Sequence, residues 1–244
     1  MIVGGAPAAK PARLVSAAEP IQVQGPPPPF VSRGGEKLDA ALLRFGIDVT
    51  GARALDAGSS TGGFVDCLLS RGAAEVVAVD VGRGQLDERL RRDPRVMVLE
   101  RTNVRHLELD QVGGTPFAIV VADLSFISLR TVAPVLFGDL AAPDADVVAL
   151  VKPQFEAGRV EASRGKGVVK DPRVWERVLE EVCSSFRRAG AVMMGAMVSP
   201  LTGAHGNVEF LVHALAHARA HRSEPVIDLG AVVAHAAAGA SRGG

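Results

Sequence analysis

Four charged residues stand where apolar ones are expected. Lys37 lies in a stretch, Glu36 to Phe45, whose Leu38, Leu42 and Phe45 share one helical face and which Gly46 stops. Asp123 closes the apolar run Phe117 to Ala122, and Lys152 closes Asp146 to Val151. Glu209 interrupts Val208-Glu209-Phe210-Leu211-Val212. Two lysines and two acids near strand ends suit the activation of a weakly nucleophilic hydroxyl. A lysine there holds the oxygen lone pair in line and stabilises the oxyanion as it forms. A lysine desolvated beside a second cation gives up its proton more readily and can serve as base. The acids set its direction and balance the charge. Lys152 is the candidate at the hydroxyl, with Asp123 orienting it and Lys37 and Glu209 completing the network.

A donor site is equally legible. Strand candidate Arg53 to Ala57 runs into Asp56-Ala-Gly58-Ser59-Ser60-Thr61-Gly62-Gly63-Phe64, then into a helix. In open α/β sheets ligands bind beyond the carboxyl ends of strands, and glycines let the backbone approach them. Asp56 puts a carboxylate at that turn, which repels a pyrophosphate and attracts a cationic amino-acid moiety. Asp80, followed by Val81, ends the next strand about 20 residues on, where a carboxylate takes ribose hydroxyls. Both features favour S-adenosylmethionine over a dinucleotide. Gly58-x-x-x-Gly62 has the spacing of short-chain dehydrogenases, but a further Gly is replaced by Phe64, and a chain without Tyr lacks their catalytic Tyr–Lys pair. A P-loop is excluded because no Lys follows Gly62-Gly63. Transfer of a methyl group from a sulfonium to a ribose 2′-hydroxyl, an in-line displacement, joins this donor to the lysine set.

These residues must be positioned by regular elements. Strand candidates are Arg53 to Ala57, Glu75 to Val81, Val96 to Glu100, Phe117 to Asp123, Asp146 to Val151, Ala191 to Ser199 and Val208 to Ala214. Helix candidates between them are Gly63 to Ser70, Gln85 to Arg92, Thr131 to Leu140 and Arg173 to Ala189. Near-continuous apolar strands alternating with helices predict an α/β fold, a doubly wound, mostly parallel sheet of seven strands. The final strand follows a strand directly, so it is expected to be antiparallel. Ahead of this lie residues 1–25, with β-like stretches at Arg13 to Ser16 and Ile21 to Gln24, and a Pro-rich linker over residues 26–32. The methyltransferase-like unit spans residues 33–216, and residues 217–244 read as a weak helix and loose tail.

Composition bounds the rest. At 48% hydrophobic and with 27 basic against 27 acidic side chains, the 244-residue chain is neither disordered nor uniformly basic. No apolar run approaches the ~18 residues of a membrane helix, and no secretory signal is evident. Cys67 and Cys183 sit apart in apolar contexts, as free buried thiols of a reducing cytoplasm would. His205 has no evident partner, and His213, His217, His221 and His235 do not combine with Cys at metal spacing, so no metal is expected.

Five collinear motifs now carry a resemblance: Ser-Arg-Gly-Gly-Glu-Lys37-Leu, Asp56-Ala-Gly-Ser-Ser-Thr-Gly-Gly-Phe, Ala-Asp123-Leu-Ser-Phe-Ile-Ser, Leu-Val-Lys152-Pro-Gln-Phe-Glu and Gly-Asn-Val-Glu209-Phe. From about residue 2 to about 216 the chain resembles the TlyA, or hemolysin A, family of FtsJ-type ribosomal RNA methyltransferases. The resemblance implies a Rossmann-like fold and S-adenosylmethionine-dependent 2′-O-methylation of cytidine in 16S or 23S rRNA. It implies that Lys37, Asp123, Lys152 and Glu209 form the catalytic set, with Asp123 also touching the donor, and that Asn103 contacts the adenine. The family begins with an S4-type RNA-binding domain. Here residues 1–25 resemble only its second half, so they are expected to be poorly ordered and to grip RNA weakly.

The expected partner is ribosomal RNA or a ribosomal subunit. Residues 101–150 carry three basic and six acidic side chains, whereas residues 151–200 carry nine and six, a net +3. Much of that excess lies in Arg159, Arg164, Lys166 and Lys170, a segment suited to backbone phosphates, which Arg33 could join. The nine Phe sit mostly at core positions, so stacking of single-stranded bases is not expected. The family label also suggests membrane damage, but the termini offer no amphipathic segment. A catalytically inactive RNA-binding module is a further alternative, disfavoured by the intact four-residue set.

Overall fold

A computed structural model describes residues 2–8, 14–22, 28–158, 167–217 and 223–240. Three two-residue strands, β1 (Ile2–Val3), β2 (Ala6–Pro7) and β3 (Ile21–Gln22), pair antiparallel in the order β2-β1-β3. The expected β-like stretch near Arg13 is irregular over Leu14 to Ser16. Arg13, Val23 and Gln24 lie outside the described residues.

Seven strands build the main sheet: β4 (Arg53–Ala57), β5 (Glu75–Val79), β6 (Val96–Leu99), β7 (Phe117–Ala122), β8 (Ala141–Val151), β9 (Val192–Val198) and β10 (Phe210–Leu215). Their order is β6-β5-β4-β7-β8-β10-β9. β4 to β8 pair parallel, and β10 runs antiparallel between β8 and β9. The doubly wound, mostly parallel sheet with an antiparallel last strand is therefore the observed fold.

Helices cover both faces, as strands this apolar require. One face carries α1 (Arg33–Phe45) and α2 (Gly63–Ser70). Leu38, Ala41 and Leu42 recur at helical spacing and are sealed with Phe64 and Leu68, and Gly46 ends α1 in the left-handed conformation. After the short α3 (Glu88–Arg91), the other face carries α4 (Leu129–Leu136), then α5 (Pro153–Glu156), α6 (Pro172–Arg188) and α7 (Leu229–Ala240). Its core holds Phe117, Phe137, Trp175 and Phe186. Cys67 and Cys183 are buried free thiols, pushed by burial up to about 12 and about 11.

Several boundaries move for identifiable reasons. The helix expected over Gln85 to Arg92 forms only at Glu88–Arg91, because Asp87 caps it by accepting from the Arg89 N–H. β5 ends at Val79, so Asp80 and Val81 leave the sheet. β8 starts earlier than expected: a register irregularity absorbs Pro143 and Asp144 before Ala145 regains the core. The helix expected within residues 217–244 is α7, whose Val233 and Ala236 are buried against the core beside α6 and β9.

Candidate active site

Strand register brings the candidate residues together. Ala122 of β7 lies beside Ala57 of β4, so Asp123 emerges next to Gly58. Phe210 of β10 pairs with Val151 of β8, so Glu209 enters the sheet where Lys152 leaves it. Only an antiparallel strand presents its first residue at the edge where its neighbours present their last.

Two ion pairs result. Lys152 Nζ lies 2.5 Å from Asp123 Oδ1 and donates to Ser125 Oγ at 3.0 Å. Lys37 Nζ donates to Glu209 Oε2 at 2.5 Å, and both side chains are buried. The loop after β9 seals this second pair. A Cβ on Gly203 would sit 1.9 Å from Glu209 Oε1, so the loop passes the carboxylate only because residue 203 has none. Asn207, also buried, ties that loop down: Oδ1 accepts from Val169 N–H, and Nδ2 donates to Gly167 O and Ala204 O.

Between these pairs lies a cavity of about 230 Å³, walled by Ser32, Arg33, Gly34, Lys37, Gly58 to Thr61, Gly63, Phe64 and Asp123. Gly58 has φ +91°, and a Cβ there would meet Asp123 O at 2.5 Å, so the two loops touch through a glycine. Asp80 stands beside the wall, accepting from Ser60 N–H at 2.8 Å and Gly82 N–H at 2.6 Å. Thr102 N–H donates to Asp80 O, which brings Asn103 alongside. Asn103 caps the short helix Val104–His106, accepting from Arg105 N–H. Gly62 and Asn103 are not on the cavity wall, and Val81 is mostly exposed.

Asp56 lies behind the glycine loop rather than on the cavity. It is fully buried, and neither carboxylate oxygen has a hydrogen-bond partner. Burial first, then the charges of Asp123 and Asp80, push its carboxyl well above the usual range. Asp123 has Lys152 beside it, but among the described residues no cation pairs with Asp56 or Asp80, which leaves acidic charge here for a positively charged ligand.

Residues 30–215 match the FtsJ-like methyltransferase family. The chain belongs to that family. The 16S/23S rRNA (cytidine-2'-O)-methyltransferase TlyA of Mycobacterium tuberculosis H37Rv is 51% identical, over 86% of this chain and 78% of its own. Hemolysin A of Brachyspira hyodysenteriae is 41% identical, over 75% of this chain and 76% of its own. A solved structure from Lactococcus lactis, described as a hemolysin, superposes with a TM-score of 0.78 at 39% identity, covering 85% of this chain and 98% of that one. The hemolysin label thus attaches to the same methyltransferase family.

S-adenosylmethionine, implied by an FtsJ-like domain, fits what these residues offer. The orphaned Asp56 carboxylate and its acidic neighbours suit a sulfonium and an ammonium, and the glycine wall admits close approach. Among the described residues no three His, Cys, Asp or Glu side chains converge as a metal would require.

Most Phe are core, as expected, and Phe126 is the exception. Phe126 is 91% exposed and has φ +64°, a conformation costly for a bulky side chain. Its ring lies 5.0 Å from that of Phe155, which in turn is 5.9 Å from Lys152 Nζ. An aromatic pair does stand beside the lysine, and counting Phe as core concealed it. The signal was that Phe126 falls two residues after Leu124, outside any apolar period. Of the basic candidates, Arg33 is on the cavity wall and Lys170 is exposed near Glu209. Arg159, Arg164 and Lys166 lie outside the described residues.

Proposed function

We propose that this chain methylates a ribose 2′-hydroxyl of ribosomal RNA, at cytidine in 16S or 23S rRNA, using S-adenosylmethionine. The observation that carries this reading is the meeting of two lysine–carboxylate pairs at the rim of one acid-backed cavity. S-adenosylmethionine, when bound, supplies an electrophilic methyl group on a sulfonium. Gly58, Ser59, Ser60, Thr61, Gly63 and Phe64 form the wall for it, with Gly62 opening α2. Asp80, Val81 and Asn103 take the adenosine side, and Asp56 supplies charge from behind. Lys152 meets the ribose oxygen, fixes its lone pair towards the methyl group and stabilises the oxygen as it loses its proton. Asp123 holds Lys152 in that direction. Lys37 and Glu209 form the opposite wall. The site of action is the cytoplasm, where the substrate is found.

The direct test supplies tritiated S-adenosylmethionine and separated ribosomal subunits, then maps the label. A ribose-methylated cytidine is the expected product. Label on a base, or none with a folded protein that binds the donor, overturns the reading. The RNA side has its own tests. Stacking a base on an aromatic ring contributes about 1–3 kcal/mol. Phe126→Ala is therefore expected to raise the KM for RNA about tenfold while donor affinity, measured by calorimetry, stays constant. Phosphate contact is read from salt dependence. Arg33→Glu with Lys170→Glu is expected to flatten the slope of log affinity against log salt by roughly one per lost contact. Arg159, Arg164 and Lys166 belong to the same proposed surface on their charge and position in the sequence.

Membrane damage finds less support. Among the described residues no helix is long and apolar enough to cross a membrane.

A further inference from the structure

β7 and β8 each deliver one half of the Lys152–Asp123 pair and then diverge. Past the sheet, the chain from Leu124 to Ser128 leads to α4, and the chain after Lys152 enters α5 at once. Among the described residues, the hydrogen bonds joining these two arms all use a side chain. Lys152 itself supplies one, to Ser125. The others converge on Glu156, the last residue of α5.

Glu156 is 3% exposed, and both its oxygens are engaged by the other arm. Oε2 accepts from Ser128 Oγ at 2.5 Å, and Oε1 accepts from the Leu129 N–H at 2.6 Å. Arg130 lies 3.4 Å from Oε2 through Nε and donates from Nη2 to Glu156 O at 2.8 Å. Arg130 Nη1 also reaches Glu181 on α6 at 2.5 Å. The carboxylate thus sits at the start of α4, where its charge meets the unpaired N–H groups of the helix. Burial pushes the Glu156 carboxyl upward, and Ser128, Leu129 and Arg130 hold it back. This is a closed set of bonds with no place for a ligand, so its effect must be mechanical.

We propose that Glu156 is a positioning residue: by latching α5 to the start of α4, it fixes Lys152 against Asp123 and Ser125, and Phe155 against Phe126. Glu156 touches no substrate. It sets the separation of two arms whose other contacts are the Lys152 pair, the Phe126–Phe155 rings and the Arg130 bond to the Glu156 carbonyl. A misplacement of about 1 Å at a reacting centre can cost roughly a hundredfold in rate.

The inference rests on the reading that Lys152 serves methyl transfer, so its test has two independent readouts. The first is kinetic. Glu156→Ala is expected to lower kcat on ribosomal subunits by about 10- to 100-fold, with donor Kd and RNA KM within about threefold of the parent protein. Glu156→Gln is expected to recover part of the rate: its amide oxygen accepts from Leu129, while its amide nitrogen meets Ser128 Oγ, which already accepts twice from Arg130. Ser128→Ala, which removes one bond of the latch, serves if the alanine variant does not fold, and is expected to lower kcat in the same direction by a smaller factor. The second readout needs no activity. Lys152 is acetylated by acetic anhydride in the folded protein and quantified by mass spectrometry against Lys37. Loosening the latch should accelerate labelling of Lys152 severalfold and leave Lys37 unchanged. Unchanged kcat and unchanged labelling in Glu156→Ala overturn the latch. So does a Glu156→Gln variant as slow as Glu156→Ala, since the retained bond to Leu129 keeps part of the latch. Accelerated labelling without any methyl transfer by the parent protein supports the latch and overturns the functional reading instead.

Discussion

Lys152→Ala is expected to leave S-adenosylmethionine binding within about twofold of the parent protein and to cut methyl transfer by roughly a thousandfold, the range seen when a positioned proton-transfer or charge-stabilising group is removed. Calorimetry with the donor and single-turnover transfer to ribosomal subunits check the two halves. The site favours this variant over its companions. Lys37 and Glu209 are sealed against each other, so removing either strands a buried charge and destabilises by about 3–5 kcal/mol whatever its chemistry. The Asp123 side chain retains 24% exposure, so losing Lys152 leaves it able to reach water. A rate within tenfold of the parent protein would remove Lys152 from the reacting centre.

Asp56→Asn is expected to act in opposite directions on stability and on donor binding. A carboxyl whose folded pKa lies above its unfolded one stabilises nothing at alkaline pH. Below the unfolded value both states are protonated and the effect is nil. As pH rises past the ordinary carboxylate range, the unfolded chain ionises first and stability falls, until the folded carboxyl ionises too. Asp56 is such a group, raised by burial and by Asp123 and Asp80. Asparagine removes that slope, so the variant should melt several degrees higher than the parent protein at pH 7.5 and at nearly the same temperature at pH 4. The same change removes the charge that a sulfonium and an ammonium would draw upon. Donor affinity should fall by about tenfold or more, or 1.4 kcal/mol per tenfold. In the parent protein affinity should rise with pH, and binding should release protons, seen as a dependence of binding heat on buffer ionisation. Asp56→Asn should abolish that dependence. A variant that binds the donor normally would show that Asp56 only shapes the glycine loop.

Much of this was readable from residue order, because strands and chemistry advertise themselves differently. β4 stands where its apolar run predicted, Arg53–Ala57, and β7 differs only by its terminal acid. Lys152 and Glu209 were conspicuous because a charge ending or breaking an apolar run needs a reason. What was not readable depended on contacts between distant segments. Asp56 appeared as a wall residue, yet the loop that follows folds over it. Glu156 stood at the end of the Leu-Val-Lys152-Pro-Gln-Phe-Glu motif with no role of its own. Its importance comes from Ser128 and Leu129, 28 and 27 residues away. Phe126 was not singled out because most Phe are core, and its exposure and positive φ belong to the loop after β7. Asn207 drew no attention because a lone Asn in a glycine-containing loop is common, and two of its three partners, Gly167 and Val169, come from a distant part of the chain.

The antiparallel β10 also carries a consequence for how the protein is made. It is inserted between β8 and β9, so β9 has no partner in the sheet until β10 arrives. Both the sheet and the site are therefore completed by residues near 210, late in synthesis from the amino end. Until that strand emerges from the ribosome, β8 is an open edge rich in valine, the kind of surface that pairs with other chains. A nascent chain halted before Glu209 would hold the glycine turn and Lys152 but lack the carboxylate that pairs with Lys37. Catalysis and freedom from aggregation would then be acquired in the same step, with the last strand.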